Sequence, residues 1–244
     1  MEKTNLFTFD QNLKQNQLPD LVYKNLGPYP TFQIKITISV FTLFMIDFLL
    51  LIPMLFPAIN LFIYLTLPFV ALLNIWALVL LVRNSEKTQV KTILFIMFLG
   101  FTGSWGFFLL SMKYAFMSGV ESPIYFVTMT LIYILVIFLF FYSQLKNYWR
   151  LDKQKVKETP RWHYYVLSIA VPLGYVFAQF MFGLGEDIVL IVMMGIFIMF
   201  AVFFIYLMTK SLHKYLFVKN NPHLVKMTKN QSMKRREKWS FWVA

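Results

Sequence analysis

Cysteine is absent from the 244 residues. That single absence removes disulfides, thiolate metal sites, thiol nucleophiles, palmitoylation and prenylation. Charge is scarce too: charged side chains make up 14% of the chain, against about 25% in soluble domains. Only three histidines occur, His163, His213 and His223, and none has the spacing of a metal or haem site. No P-loop is present, and GLGED at 183–187 reads as a turn, because no strand precedes it and the further glycine of a nucleotide fingerprint is missing. Residue 2 is Glu, which excludes myristoylation. Residues 1–31 hold no apolar run like a signal-peptide core. Neither a metal nor an organic cofactor is therefore expected.

What the chain has in abundance is apolar length. Residues 36–82 contain one charged side chain, Asp47. Water-soluble helices need a polar face, and this stretch offers none wide enough. Spans are expected at 33–55, 58–82, 92–113, 123–146, 163–182 and 187–209, since one bilayer crossing takes about 20 apolar residues. The expectation is an all-α, polytopic membrane protein, a six-transmembrane-helix bundle over 32–212 with short loops. Pro53 and Pro57 are expected to break the opening run into an antiparallel pair.

Charge placement orients this bundle. Of the 23 basic residues, all but Lys113 fall in residues 1–35, 83–91, 146–161 and 210–238. The opposite loops carry Glu121, Glu186 and Asp187. Basic loops stay in the cytoplasm, which places both termini there. The net charge of +12 is thus a topology signal and implies no nucleic-acid partner. A multi-pass protein of a bacterial plasma membrane is expected.

Two flanking regions complete the organisation. The leader, 1–31, carries Leu18, Leu21, Val22 and Leu26 at helical spacing, with Pro19 before and Gly27 after; 18–26 reads as an amphipathic helix lying on the inner leaflet or as an irregular polar leader. The basic tail, 213–244, includes Lys219, Lys226, Lys229, Lys234, Arg235, Arg236 and Lys238, followed by Trp239, Phe241 and Trp242. Such a tail suits anionic lipid or a cytosolic partner as well as plain solvation.

Within the membrane, Asp47 is the sharpest candidate, because a carboxylate in hydrocarbon faces a bundle interior, a cavity or a partner. Counting from the inner end of its helix places it about 20 Å deep, in the outer half. Tyr64, Thr128, Thr130 and Gln179 lie at similar depth by the same count, and Lys113 can reach inward. The site reads either as a substrate, proton or ion contact or as a pair that fixes helix packing. Gly100, Gly103, Ser104 and Gly106 form one small-residue seam, and Ala170, Gly174 and Ala178 form another beside Pro172. Ser104 is no protease nucleophile: the elbow pattern needs glycine where Thr102 stands.

Two functions follow from this layout. One is a non-enzymatic subunit of a transport or export assembly, energised by another chain. Its layout is similar to that of small ABC-type permeases, although no residue motif of that family is present and the loop RNSEKTQVK has no long coupling helix. The other is an immunity, regulatory or scaffold protein that binds a membrane protein or a toxin. A membrane enzyme would need catalytic side chains clustered at one depth, and the sequence offers almost none.

Overall fold

The structure is a computed structural model and describes residues 31–83, 88–149, 183 and 185–220. Among these residues there are helices and no strands. Five helices are long and apolar enough to cross a membrane. Helix α1 runs continuously from Thr31–Ser39 through Val40–Leu51 to Ile52–Leu55, α2 is Asn60–Val82, α3 is Gln89–Met117, α4 is Pro123–Trp149 and α5 is Glu186–Asn220. The expected span at 163–182 lies outside the described residues, as do the leader helix at 18–26 and the tail beyond 220.

The middle of α1, Val40–Leu51, winds as a π-helix. The sequence explains what this winding achieves. Ile34, Ile38, Thr42, Ile46, Leu50 and Met54 are all buried, one every fourth residue. On a regular α-helix each four-residue step drifts by about 40°, so five steps would carry the stripe about 200° around. The wider π turn rotates less per residue and keeps the stripe on one side. In α2 the buried positions are Phe62, Thr66, Val70, Leu73, Ala77 and Leu80. These cover 18 residues in five steps, the ordinary α-helical period, and α2 needs no such adjustment.

The break between α1 and α2 falls at 56–59, where Phe56 turns extended and the Phe56–Pro57 bond is cis. Pro57 thus stands at the break, whereas Pro53 sits inside the last turn of α1. Because the helix continues into this turn, Pro53 removes an N–H that the preceding turn of α1 would otherwise use.

Helix α3 is the centre of the bundle. It is 72% buried over its most apolar window, against 28% for α1, α2 and α5 and 6% for α4. Its glycines explain how α5 comes so close. A Cβ added to Gly100 would lie 2.6 Å from the main-chain nitrogen of Met208, and one added to Gly103 would enter the Phe204 ring. At Gly106 the same atom would meet Leu50 of α1 at 2.5 Å. Each glycine is therefore an approach point for a neighbouring helix. Ring stacking fills the seam: Phe107 of α3 stacks on Phe197, Phe200 and Phe204 of α5 at centroid distances of 6.1, 5.1 and 5.5 Å.

These contacts also fix directions. Leu50 meets Gly106 and the α1 terminus meets Lys113, so α1 runs parallel to α3. Phe69 meets Phe101 and Trp76 meets Phe95, so α2 runs antiparallel to α3. Met208 meets Gly100 and Phe197 meets Tyr114, so α5 is antiparallel to α3 as well. Helix α4 touches α5 at Tyr125–Met194 and Phe140–Tyr206, and the two run in the same direction. Helix α5 continues 11 residues past the expected span end at 209. Its extra turns hold Ser211, His213, Lys214, Phe217 and Val218, all buried, at the level of the first turns of α3, where Thr92, Ile93 and Ile96 are buried too.

Candidate functional site

The polar groups inside this apolar bundle are few, and the hydrogen bonds they make follow from local chemistry. Asn74 Nδ2 of α2 donates to Asp47 Oδ1 of α1 at 2.8 Å. Asp47 is half-buried on the π-helical stretch, one position beyond the buried Ile46 and beside the exposed Phe48. A carboxylate in hydrocarbon requires a donor, and α2 supplies one from the facing helix.

Lys113 is fully buried on α3. Its ammonium donates to the carbonyls of Pro53 and Met54 at 2.6 and 3.0 Å. The reason lies in the sequence of α1. The Pro53 carbonyl would take the N–H of residue 57, but residue 57 is proline and has none. The Met54 carbonyl would take the N–H of Ala58, but the chain has already left the helix at Phe56. Both acceptors are orphans of a helix C-terminus, and Lys113 caps them from another helix, where a cation is also favoured by the helix dipole.

A second proline defect is met in the same way. Pro68 lies inside α2 and removes the donor for the Tyr64 carbonyl. Trp105 of α3 donates its Nε1 to the adjacent Leu65 carbonyl at 3.3 Å, an example of a side chain entering the ladder at a disturbed turn. Helix α3 thus supplies side-chain donors beside proline positions in both helices of the α1–α2 hairpin.

Tyr133 is the only buried residue of α4 among those described. Its hydroxyl donates to Ser104 Oγ at 3.1 Å, and Ser104 donates on to the Phe101 carbonyl at 3.0 Å. The Tyr133 ring stacks on Phe108 at 4.3 Å. Such a pair adds about 0.5–1.5 kcal/mol beyond its buried area.

Depth can be read from the register of these contacts. Asp47 falls level with residues near 103–106 of α3, given that Leu50 meets Gly106 and Met54 meets Lys113. Thr66 lies at that level too, one residue beyond the Trp105–Leu65 bond, and so do Thr102, Ser104 and Tyr133. The hydroxyls of Thr66 and Thr102, like those of Thr42 and Ser111, are buried with no hydrogen-bond partner among the described residues. A polar layer therefore crosses the middle of the bundle.

The residues named from sequence distribute as follows. Lys113 caps α1 and does not meet Asp47 in a hydrogen bond. Tyr64 and Thr128 are exposed, and Thr130 bonds to the Phe126 carbonyl of its own helix at 2.8 Å. Gln179 lies outside the described residues, as do Ala170, Gly174, Ala178, Lys226, Lys229, Lys234, Arg235, Arg236 and Lys238. Lys219 is exposed near the end of α5. Asn74 belongs to the same nearly uncharged run as Asp47, and nothing in the spacing marks it as the partner. A straight-helix count puts Asp47 in the outer half and Asn74 in the inner half, so depth alone does not pair them. No group of histidine and acidic side chains among the described residues can hold a metal ion. No known family model, curated protein or solved structure matches this chain.

Proposed function

We propose that the chain is a non-enzymatic integral membrane subunit of a transport or export assembly, energised by another chain. The observation that carries this reading is the polar layer at mid-depth. Asp47, Thr66, Thr102, Ser104 and Tyr133 occupy the level at which transporters hold their substrate and coupling-ion sites, and Asn74 reaches Asp47 from nearer one end of the bundle. Asp47 is an intramembrane acid, a functional site by default, and it lies on a π-helical stretch, a winding found often at functional sites.

The proposal includes six crossings, with both termini in the cytoplasm of a cell whose plasma membrane holds the protein. Two features support it. Helices α4 and α5 run the same way, as the fourth and sixth of six alternating crossings would. Helix α1 starts, and α5 ends, at the end of the bundle that carries Lys35, Arg83, Lys91, Lys214 and Lys219, whereas Lys113 lies toward the opposite end.

The reading is tested by purifying the full chain from its native membrane in mild detergent and identifying what is bound to it. A stoichiometric nucleotide hydrolase is the expected companion. A toxin or a second membrane protein bound in its place would replace transport with the immunity or scaffold reading. The favourable observation for that alternative is that Asp47 and Lys113 are already hydrogen-bonded within the bundle. An Asp47→Asn variant that keeps both full transport and full assembly would remove the polar layer from the argument.

A further inference from the structure

The helix ends carry an arrangement that the polar layer does not use. Lys35 of α1, Arg83 at the end of α2, Lys91 of α3 and Lys219 of α5 are all exposed. The register of the bundle brings them to one level. Lys35 matches residues near 91–95 of α3 by the Leu50–Gly106 and Lys113–Pro53 contacts. Arg83 matches residues near 87–91 by the Leu65–Trp105 and Trp76–Phe98 contacts. Lys219 matches residues near 88–89 by the Met208–Gly100 and Phe204–Gly103 contacts. Four cations from four helices thus lie within about 12 Å of one another in height. Glu121, Glu186 and Asp187, all exposed, share the opposite end by the same register.

The separation of the two levels identifies what surrounds them. Lys219 follows Glu186 by 33 residues on the single helix α5, about 50 Å along the axis. At the average tilt of membrane helices, about 20°, this becomes about 47 Å along the normal. A bilayer measured through both headgroup regions is about 40–45 Å thick. The cations therefore stand at headgroup height, and the side chains beside them are apolar and exposed: Ile36, Val82 and Val90 next to Lys35, Arg83 and Lys91. The described residues of this level include no acidic side chain.

We infer that Lys35, Arg83, Lys91 and Lys219 form a collar that binds the headgroups of anionic phospholipids in one leaflet. Their height favours lipid over an acidic protein, which would dock beyond the headgroups. The inference rests on the membrane-spanning helices alone and stands apart from the transport reading. Its basis in general chemistry is that a basic side chain at an anionic surface contributes a several-fold preference that salt screens.

The test places the full-length protein in nanodiscs of equal phosphatidylcholine and phosphatidylglycerol, and counts the lipids retained on gentle delipidation by mass spectrometry. The wild-type chain should retain phosphatidylglycerol preferentially. Lys35→Gln, Arg83→Gln, Lys91→Gln and Lys219→Gln combined should lower that preference about fivefold or more. Lys35→Arg, Lys91→Arg and Lys219→Arg combined should keep it, which separates loss of charge from loss of fold. Neutralising Glu121, Glu186 and Asp187 should leave it unchanged. A wild type without preference, or a Gln variant that keeps the full preference, overturns the collar. Retention by the wild type of an acidic protein in place of lipid also overturns it.

Discussion

Lys113 makes two contacts that other side chains would not easily replace, since its acceptors are carbonyls left unpaired at the end of another helix. Removing the ammonium leaves the Pro53 and Met54 carbonyls buried and unpaired. Lys113→Met keeps the length of the side chain and deletes only the donors. It is expected to destabilise the protein by about 1–3 kcal/mol, seen as an earlier thermal transition of the purified chain in detergent. An unchanged transition would mean that other donors reach those carbonyls. For Asp47 and Asn74 the expected coupling is smaller, because interhelical hydrogen bonds in membranes average about 0.6 kcal/mol and reach about 1.7. A cycle of Asp47→Ala, Asn74→Leu and the double variant should give a coupling in that range; strictly additive effects would dismiss the pair. At this scale the sequence showed that Asp47 required a partner, because the chemistry of a carboxylate in hydrocarbon is general. It did not show which partner. That choice depends on how π winding sets the height and azimuth of residue 47, and no single residue of Val40–Leu51 announces the winding.

At the level of elements, the small residues of α3 decide how the bundle closes. Their role as an approach seam was legible as a Gly100, Gly103, Ser104, Gly106 pattern, since close helix contact in lipid has few other chemical solutions. The structure adds the identity of the neighbours: the backbone of α5 at Met208, the ring of Phe204, and Leu50 of α1. Ser104 differs from the glycines, because its hydroxyl receives Tyr133 and so fastens α4. The Gly103→Leu variant places a branched side chain into the Phe204 ring and should separate α3 from α5, with loss of folded protein in detergent. Gly195→Ala on α5 is the matched control, since a Cβ there meets nothing within 4 Å; it should be neutral or slightly stabilising, as alanine is the better helix former by about 1 kcal/mol. Equal losses in both variants would show that helix propensity, and not the seam, governs stability. The four-residue stripe of α1 was also present in the sequence. A stripe of period 4 blurs against the 3.6-residue period of a regular helix, which is why it gives no amphipathic signal.

For the whole molecule, apolar length and the alternation of charge were enough to expect helices that cross a membrane, because the cost of burying unpaired backbone leaves helices as the economical solution for such runs. Which side chains meet between α3, α4 and α5 could not be read from composition. The absence of cysteine makes the sidedness unusually open to measurement. Single cysteines placed at Lys35, Lys91 and Lys219 should react with a membrane-impermeant maleimide from one face of sealed vesicles, and cysteines at Glu121 and Glu186 from the other. In right-side-out vesicles the first set should stay protected until the membrane is permeabilised, as the excess of basic residues at their end of the bundle requires. Labelling of Lys219 and Glu186 positions from the same face would be incompatible with α5 crossing the bilayer, and the charge collar would lose its physical basis together with the mid-depth polar layer.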